Sequence, residues 1–512
     1  MSEVDKPFEI PSHWRWHRLD QVGEIHSGST PSTKEDDNFG GDIPWLTPGD
    51  LSDYNGKFVS HGERNLTQKG LESCSAKLLP KGAVLFSSRA PIGYTVIAQN
   101  PISTNQGFKN LVPGDGVDNE FAYHYLKGST GLAKSYASGT TFSELSATRF
   151  AQIPIPVPPI SEQRRIVAKI EELFTNLDAG RSDLQAAEQQ LERYRLSVLQ
   201  AAIEGRLTAD WRRTHDPEPA DQLLERIQME KKRLYDSGEI RKPKDRPAPE
   251  EDEIPFDVPE SWTWIRITEL MYNWRSGLER RNSDQDPDRE YPYIKMGDIT
   301  NDGRLTLDSV TCVDAEEEDV EKYKLSKGDF LFNVRNSKKL VGKSCVFDVE
   351  SEETYLFNNN ILRVDFGEKV SSKYINYWFC SAAGRDMLEE LKSSTTNVAA
   401  IYHKDFFTCV VPLPPLAEQK QIVDEVERLL SVADDAAATA DREQTRAERL
   451  RQSILKQAFS GQLVPHDDGA SSPTVDGTTS ETTDTASQND GDREVEDLLG
   501  STDPDKQIEM DL

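Results

Sequence analysis

The sequence predicts a mixed α/β (α+β) protein in which two β-rich domains are joined by two long helices. The helices are expected to pair as an antiparallel coiled coil, giving the chain pseudo-two-fold symmetry. Three observations predict this architecture: an internal duplication with a period of about 250 residues, short apolar segments bounded by turn residues in the first part of each copy, and a heptad pattern in the second part. The length of 512 residues also favours several domains over one large core.

The duplication is visible in matching motifs. Trp14-Arg15-Trp16 returns 248 residues later as Trp262-Thr263-Trp264. Pro158-Pro159 followed by Glu162-Gln163 returns 256 residues later as Pro414-Pro415 followed by Glu418-Gln419. A period of this length is too long for a solenoid repeat. Each copy is therefore interpreted as one domain followed by one helix.

Each copy begins with a domain of about 150 residues, predicted at 1–158 and 254–413. The segments Ala83–Phe86 and Asp329–Phe332 are short, apolar and bounded by Gly and polar turn residues, which is typical of strands. Because glycine and proline are frequent between such segments, we expect a compact, β-rich α/β fold in both domains.

The second part of each copy is predicted to be a long helix, at 159–207 and 414–465. In the first copy the Pro158-Pro159 pair ends the preceding strand, Ser161 is the predicted N-cap, and Gly205 suits a C-terminal cap. The heptad has position a at Ile170, Leu177, Leu184, Leu191 and Val198, and position d at Ile166, Leu173, Gly180, Ala187, Tyr194 and Ala201. Five heptads of this kind predict a coiled coil.

The two helices complement each other in side-chain size. In the second copy position a is Val426, Ala433, Ala440, Ala447 and Ile454. An antiparallel pair would set the large residues Leu177, Leu184 and Leu191 against the small residues Ala447, Ala440 and Ala433, so that the helices approach closely without voids. Parallel pairing is the alternative.

The remaining segments are a linker and a tail. The linker, 208–253, contains a short charged helix predicted at about 220–235, followed by a stretch rich in proline, lysine and glutamate. The tail, 466–512, has 14 acidic and 2 basic residues among Ser, Thr, Asp and Gly. This composition predicts disorder.

Several function classes are excluded by missing features. No run of 18 apolar residues and no signal peptide occur, so we expect a cytoplasmic protein that does not contact a membrane. The five cysteines and eight histidines are scattered, and no phosphate-binding glycine motif is found, so no metal, cofactor or catalytic residue is expected. The triplet Glu230-Lys231-Lys232 resembles a nuclease motif, but we interpret it as a solvated helix face.

Charge is distributed unevenly within the domains. Although the net charge is −29, the stretches Ser73–Gly114 and Phe330–Phe347 contain no acidic residue and carry four basic residues each. Such stretches suit a polyanion, or they are buried central strands from which acids are excluded. Both interpretations stay open for Ala83–Phe86, whereas Arg335–Lys343 is too polar for a core and favours DNA.

Amide side chains lie near these stretches and can pair with adenine, although amides are also common in turns. The candidate DNA-binding residues are Lys77, Lys81, Arg89, Asn105, Gln106 and Lys109 in the first domain, and Arg335, Lys338, Lys339, Lys343, Asn358, Asn359 and Arg363 in the second.

Together these motifs resemble a known family. The paired Trp-x-Trp motif, Gly28-Ser29-Thr30-Pro31 with Ile43-Pro44-Trp45, and the two Pro-Pro-x-x-Glu-Gln-x-x-Ile-Val helix starts are similar to those of the specificity (S) subunit of type I restriction–modification systems. The resemblance extends from Phe8 to about Val464. In the second copy Gly277-Leu278-Glu279-Arg280 replaces the Gly-Ser-Thr-Pro motif, so we expect the two domains to read different sequences.

The resemblance implies a non-catalytic DNA reader. Each target recognition domain would read one half of a bipartite sequence in double-stranded DNA, with the two helices as a spacer. The implied partners are two modification (methyltransferase) subunits and restriction (ATP-dependent nuclease) subunits. The alternatives are a coiled-coil scaffold without a DNA role and a self-contained restriction enzyme, which the missing catalytic motifs disfavour.

Overall fold

Each copy of the duplication folds as a β-rich domain followed by one long helix, as predicted. The computed structural model describes residues 6–138, 143–242, 246–308, 310–394 and 398–465. The predicted acidic tail, 466–512, lies outside the described residues. The chain up to Leu463 forms one unit, to which all of the following refers.

The first domain contains two main sheets. Its strands are β1 (Arg15–Arg18), β2 (Gly23–Ser27), β3 (Phe39–Leu46), β4 (Phe58–Val59), β5 (Arg64–Leu66), β6 (Val84–Ser88), β7 (Ile92–Ala98), β8 (Ser103–Thr104), β9 (Phe108–Pro113) and β10 (Pro154–Val157). Its helices are α1 (Leu19–Val22), α2 (Gln68–Glu72), α3 (Asn119–Gly128), α4 (Thr130–Ser135) and α5 (Ala147–Ala151). The sheets have the strand orders β2-β9-β6-β7-β4 and β5-β3-β8, and β1 pairs with β10. Strand β6 is central and fully buried, so burial explains the missing acids at Ala83–Phe86.

The helix α6 (Ile160–Ile203) follows the first domain, and α7 (Ala209–His215) and α8 (Ala220–Asp236) lead to the second. The N-cap of α6 is Pro159, so the prediction of Ser161 as the N-cap was wrong. Proline needs no hydrogen-bond partner for its nitrogen, and the Pro-Pro pair therefore starts the helix two residues earlier than the serine would.

The second domain repeats the arrangement of the first. Its strands are β11 (Thr263–Arg266), β12 (Asn273–Ser276), β13 (Tyr291–Ile294), β14 (Thr311–Val313), β15 (Phe330–Asn333), β16 (Arg335–Asn336), β17 (Ser344–Val346), β18 (Leu356–Phe357), β19 (Ile361–Asp365), β20 (Ser393–Ser394), β21 (Ala399–Ala400) and β22 (Val410–Leu413). Its helices are α9 (Ile267–Leu270), α10 (Glu317–Tyr323), α11 (Ser372–Cys380), α12 (Ala382–Leu391) and α13 (His403–Phe406), and α14 (Leu416–Phe459) follows. The order β12-β19-β15-β17 matches β2-β9-β6-β7. The sheet β16-β21-β20 has no counterpart among the described residues of the first domain, where the corresponding segment has one bridge, between Ser138 and Glu144.

The helices α6 and α14, which we call the spacer helices, run antiparallel, as predicted. Arg195 donates to Asp434 at 2.5 Å, Gln444 to Glu188 at 2.7 Å and Arg451 to Asp178 at 2.5 Å. The residue number therefore rises on one helix as it falls on the other.

The predicted register of the spacer helices was wrong by one heptad. The three polar contacts place Leu191 level with Ala440, Leu184 level with Ala447 and Leu177 level with Ile454. In the middle of the pair the d positions Gly180, Ala187 and Tyr194 are exposed. The seam there consists of the a residues flanked by e residues, since Glu188, Arg195 and Gln444 make the cross-helix contacts.

The structure explains why a Glu-Gln pair recurs at the start of both spacer helices. The amide oxygen of Gln163 accepts from the backbone nitrogen of Asp118 at 2.8 Å, and Gln419 accepts from Ser371 in the same way at 2.8 Å. Asp118 and Ser371 are the N-caps of α3 and α11. The motif therefore holds each domain on the start of its own spacer helix.

The linker helix α8 is docked on the second domain. Lys231 is buried, and its ammonium donates to the carbonyl oxygens of Thr268 at 2.8 Å and Glu269 at 2.9 Å. Glu230 accepts from the hydroxyl of Tyr272 at 2.7 Å. The prediction of a solvated helix face was therefore wrong for Glu230 and Lys231, which anchor the linker, whereas Lys232 is exposed.

Candidate nucleic-acid interface

The central strand of the first domain runs from the spacer to the opposite end of the domain. At its start, Val84 pairs with Ile97, which in turn pairs with Phe58. The neighbouring Lys57 donates to Glu171 of α6 at 2.9 Å. The strand ends before Arg89, which therefore lies away from the spacer. We call this end of each domain the arginine end.

Three segments meet at the arginine end of the first domain: the loop 28–30, the loop 105–107 and Arg89. The backbone nitrogen of Ser29 donates to the carbonyl oxygen of Thr104 at 2.9 Å, and that of Ser88 donates to the oxygen of Gly107 at 2.7 Å. The side chain of Thr30 donates to that of Gln106. These contacts bring the Gly-Ser-Thr-Pro motif, a candidate amide and a candidate arginine together.

The second domain has the same constellation around Arg335. The nitrogen of Leu278 donates to the oxygen of Phe357 at 2.8 Å, and that of Val334 donates to the oxygen of Asn360 at 2.9 Å. A Cβ atom on Gly28 would lie 1.9 Å from the oxygen of Asn105, and one on Gly277 would lie 2.1 Å from that of Phe357. The close approach of the two loops therefore requires glycine in both copies, whereas the Thr-Pro that follows is not needed for it.

A further strand-like segment flanks each arginine. In the first domain the nitrogen of Leu145 donates to the oxygen of Ser88 at 2.9 Å, and in the second that of Ile401 donates to Val334 at 3.0 Å. In the second domain this segment becomes the sheet β16-β21-β20, in which Arg335 pairs with Ala400. An arginine on a small exposed sheet is an arrangement that can enter a groove of DNA.

The arginine end of the first domain also contains an open cleft of about 650 Å³ lined by Arg89, Lys134, Ser143 and Glu144 among others. A guanidinium nitrogen of Arg89 lies 3.8 Å from a carboxylate oxygen of Glu144, and both side chains are more than a third exposed. Ion pairs of this kind contribute little to stability, so Arg89 can exchange its partner for a phosphate or a base.

Five of the predicted residues are accessible at the arginine ends. Arg89 is half-buried, and Gln106, Arg335, Lys338 and Lys339 are exposed. In the described part of the chain, no ion pair to Arg335, Lys338 or Lys339 is found. Asn359 lies half-buried in the loop beside Leu278, to whose oxygen its backbone nitrogen donates at 3.1 Å.

Two of the predicted lysines support loops from inside. Lys109 is buried and donates to the carbonyl oxygen of Gln106 at 3.2 Å, and burial lowers the pKa of its ammonium. Lys343 donates to the oxygen of Ile299, and burial lowers its pKa as well. Both ammonium groups are directed at backbone oxygens of their own domain, where they stabilise the loops.

The other amides and one arginine are also engaged within the domains. The amide of Asn105 accepts from the nitrogen of Gly107 at 2.8 Å, which forms a turn. Asn358 is buried and donates to the hydroxyl of Tyr293 at 3.0 Å. Arg363 donates to the carbonyl oxygen of Lys324 at 2.5 Å.

Lys77 and Lys81 are exposed but precede β6, at the end opposite Arg89. The structure therefore does not bring them to the arginine end. Conversely, Thr30, Lys134 and Lys392 lie near it and were not among the predicted residues. Lys392 donates to the carbonyl oxygen of Lys338 at 3.2 Å. Lys134 and Lys392 are far from the arginines in sequence, so no sequence pattern indicated their proximity. Thr30 belongs to the Gly-Ser-Thr-Pro motif, which the resemblance had already singled out.

Two other kinds of site are absent from the described residues. Among them, no helix combines the length and the apolar character that a membrane span requires. Within the same residues, no cluster of His, Cys, Asp or Glu has the composition to hold a metal ion.

Comparison with known proteins identifies related chains. The family model described as the type I restriction modification DNA specificity domain matches residues 11–189 and 259–437. The chain is 46% identical over 160 residues to the MjaIX specificity subunit of Methanocaldococcus jannaschii, covering 31% of this chain and 37% of that protein. It is 24% identical over 466 residues to the EcoKI specificity subunit of Escherichia coli K12, covering 89% and 90%.

A similar solved structure supports the fold. It belongs to a study of complex assembly and conformational transition of the type I R-M system, and it matches with a TM-score of 0.63 and 20% sequence identity. The match covers 89% of this chain and 100% of that chain. The two molecules therefore share the same overall fold.

Proposed function

The chain belongs to the family of type I restriction–modification DNA specificity proteins, and from this premise we propose that each of its domains reads one half of a bipartite DNA sequence through its arginine end. In this proposal Arg89 and Gln106 contact the first half-site. Arg335, Lys338, Lys339 and Asn359 contact the second. We propose 1–158 and 254–413 as the bounds of the two reading domains.

One observation carries the proposal: both domains present an accessible arginine at the same place in the same fold. Arg89 and Arg335 each follow a buried central strand and lie beside a crossing loop that carries amides. Arginine pairs with guanine through two hydrogen bonds, and amides pair with adenine. Because the loop sequences differ between the domains, the two half-sites should differ as well.

The chemistry on the DNA is assigned to partner subunits. We propose that two modification subunits bind the chain and methylate the bases that it selects, and that restriction subunits join them. This chain supplies recognition and no catalytic group. In this proposal the protein acts in the cytoplasm, the compartment that holds the DNA and the partner subunits.

The test is a map of methylated bases in cells that carry the chain with its companion subunits. With the unmodified chain, methylation should depend on the gene and fall on one bipartite sequence. Arg89→Ala should relax or abolish recognition in one half-site only, and Arg335→Ala in the other only. Each lost bidentate contact costs about 1–3 kcal/mol of discrimination at one base pair.

Lys81→Ala provides the matched control, because Lys81 is an exposed cation of the first domain at the end opposite Arg89. It should leave both half-sites unchanged. If Arg89→Ala and Arg335→Ala in folded proteins left the methylated sequence unchanged, the arginine ends would not be the reading surfaces. Methylation that is independent of the gene would contradict the proposed function as a whole.

A further inference from the structure

A single carboxylate connects both spacer helices to the second domain. We propose that Asp434 is a positioning residue of DNA recognition, which locks the second domain to the spacer at one angle and so sets the distance at which the two half-sites are read. The inference rests on the proposed function, since it concerns the relative placement of the two reading domains.

Asp434 lies on α14 and receives three hydrogen bonds from two arginines. Arg195 of α6 donates to its Oδ1 at 2.5 Å, which joins the two spacer helices. Arg304 of the second domain donates to Oδ1 at 2.7 Å and to Oδ2 at 2.8 Å. The second contact is bidentate, so it fixes the orientation of the guanidinium as well as its distance.

Arg304 is itself held rigidly by its own domain. It follows Gly303, whose φ of +84° and close approach to α11 leave no room for a side chain, since a Cβ atom would lie 2.4 Å from the sulfur of Cys380. The buried amide of Asn376 donates to the oxygen of Gly303 at 2.8 Å, and Arg385 donates to that of Asn301 at 2.5 Å. A motion of Arg304 relative to its domain would break these contacts.

Among the described residues, the pseudo-symmetric position in the first copy makes the helix contact without a contact to its domain. Asp178 corresponds to Asp434 and accepts from Arg451 at 2.5 Å, which again joins the spacer helices. The first domain is attached through Glu171, which accepts from Lys57 at 2.9 Å and contacts His124 at 2.6 Å. Its counterpart Glu427 accepts from Lys373 of the second domain at 2.8 Å, so the contact between Asp434 and Arg304 is additional to a domain contact that both copies share. Asp178 therefore offers a control that carries the helix contact without a domain contact.

The size of a domain converts a small change of angle into a change of reading distance. A domain of about 150 residues has a radius of gyration of roughly 15 Å, so its far end lies roughly 30 Å from its attachment. A rotation of about 10° at the attachment moves that end by roughly 5 Å, which exceeds the rise of about 3.4 Å per base pair. Loss of the Arg304 contact should therefore widen the range of accepted gaps.

The experiment measures how strongly the full chain prefers its natural gap. Duplexes carry both half-sites, taken from the methylation map, with the natural gap or with one base pair more or fewer. The readout is the ratio of Kd values between altered and natural gaps. Asp434→Asn and Arg304→Met should each lower this ratio by at least about fivefold. Binding to a duplex that carries only the second half-site should change by less than about twofold.

Two further variants separate positioning from folding. Asp178→Asn, which loses one helix contact, should keep the ratio within about twofold of the unmodified chain, and Arg304→Lys should give an intermediate ratio because lysine cannot form a bidentate contact. The inference is overturned if Arg304→Met in a folded protein keeps the full ratio, or if Asp178→Asn lowers it equally. If the unmodified chain prefers no gap, the proposed function fails instead.

Discussion

Individual side chains at the arginine end of the second domain differ in what they can contribute. Lys338 and Lys339 are exposed, and we expect them to contact phosphates, which carry no sequence information. Changing both to alanine should weaken binding to every duplex, specific or not. The slope of log K against log salt should fall by about 0.9 for each lost phosphate contact. Titrations at several salt concentrations measure both effects.

The control for this pair removes the same charge elsewhere in the same domain. Lys322 and Lys324 are paired with Glu318 at 2.5 Å and Glu321 at 2.8 Å, and they lie on and next to α10. Their double alanine variant should leave the slope unchanged. If the slope fell by the same amount in both double variants, the overall charge of the domain would determine the affinity, and no local contact would.

Asp329 gives a residue-scale prediction of stability. Burial raises the pKa of its carboxyl from the usual value to about 6, although the backbone nitrogen of Ser326 donates to it at 2.8 Å. The folded protein therefore binds a proton more strongly than the unfolded chain does. Stability contributed by this proton is present below about pH 4 and is lost as the pH rises through about 6.

Asp329→Asn removes the buried charge and keeps an oxygen acceptor for Ser326. We expect the variant to be more stable than the unmodified chain at pH 8, on the order of 1–2 kcal/mol, and the gain to shrink towards pH 4. Thermal unfolding of both proteins at several pH values tests this. A stability difference that is the same at pH 8 and pH 4 would contradict the assignment.

At the scale of elements, helix ends and helix partners were predictable but the helix register was not. Proline pairs and glycine mark the ends of both spacer helices, and the complementary leucines and alanines indicated antiparallel pairing. A shift by seven residues sets a leucine against another alanine, so side-chain size alone does not distinguish the two registers. The ion pairs of Asp178 and Asp434 select one register, and they depend on the rotation of both helices.

The same reasoning explains why the structure separates the candidate residues. An absence of acids marks a DNA-binding surface and a buried strand equally well, so Lys109 was selected along with Arg89. Lys77 and Arg89 lie in one acid-free stretch, but the strand between them carries them to opposite ends of the domain. Their separation follows from the direction of β6, which a stretch of sequence does not reveal.

Lengthening the spacer tests its role as a ruler. Four residues inserted in each helix, after Ala187 in α6 and after Gln444 in α14, act at the same level of the pair because Gln444 donates to Glu188. Each insertion adds about 6 Å and a rotation of about 40°. We expect the unread gap to grow by one or two base pairs while both half-sites stay the same, as measured by methylation mapping.

The control inserts four residues in α6 alone. This variant should lose the alignment of the cross-helix pairs on one side of the insertion, with a lower Tm and a weaker gap preference. If the matched double insertion were folded and active with the natural gap, the spacer helices would not set the distance between the half-sites.

For the molecule as a whole, we expect recognition of DNA without catalysis of methyl transfer. The purified chain, incubated with a methyl donor and target DNA, should transfer no methyl group, whereas the same chain assembled with its modification subunits should. Transfer of labelled methyl groups to DNA measures both reactions. Methyl transfer by the chain alone, in a preparation free of companions, would contradict the assignment of catalysis to the partners.

The antiparallel spacer has a consequence for how the protein is made. Phe121 and Tyr125 of α3 pack against Phe459 at the end of α14, with ring centroids 5.3 and 5.1 Å apart. A ribosome adding roughly 5–20 residues per second needs roughly 20–70 s to proceed from α3 to Phe459. During that time the rings of Phe121 and Tyr125 lack their contact with Phe459. We therefore expect a chain truncated before α14 to leave the Phe459-contacting surface of α3 exposed.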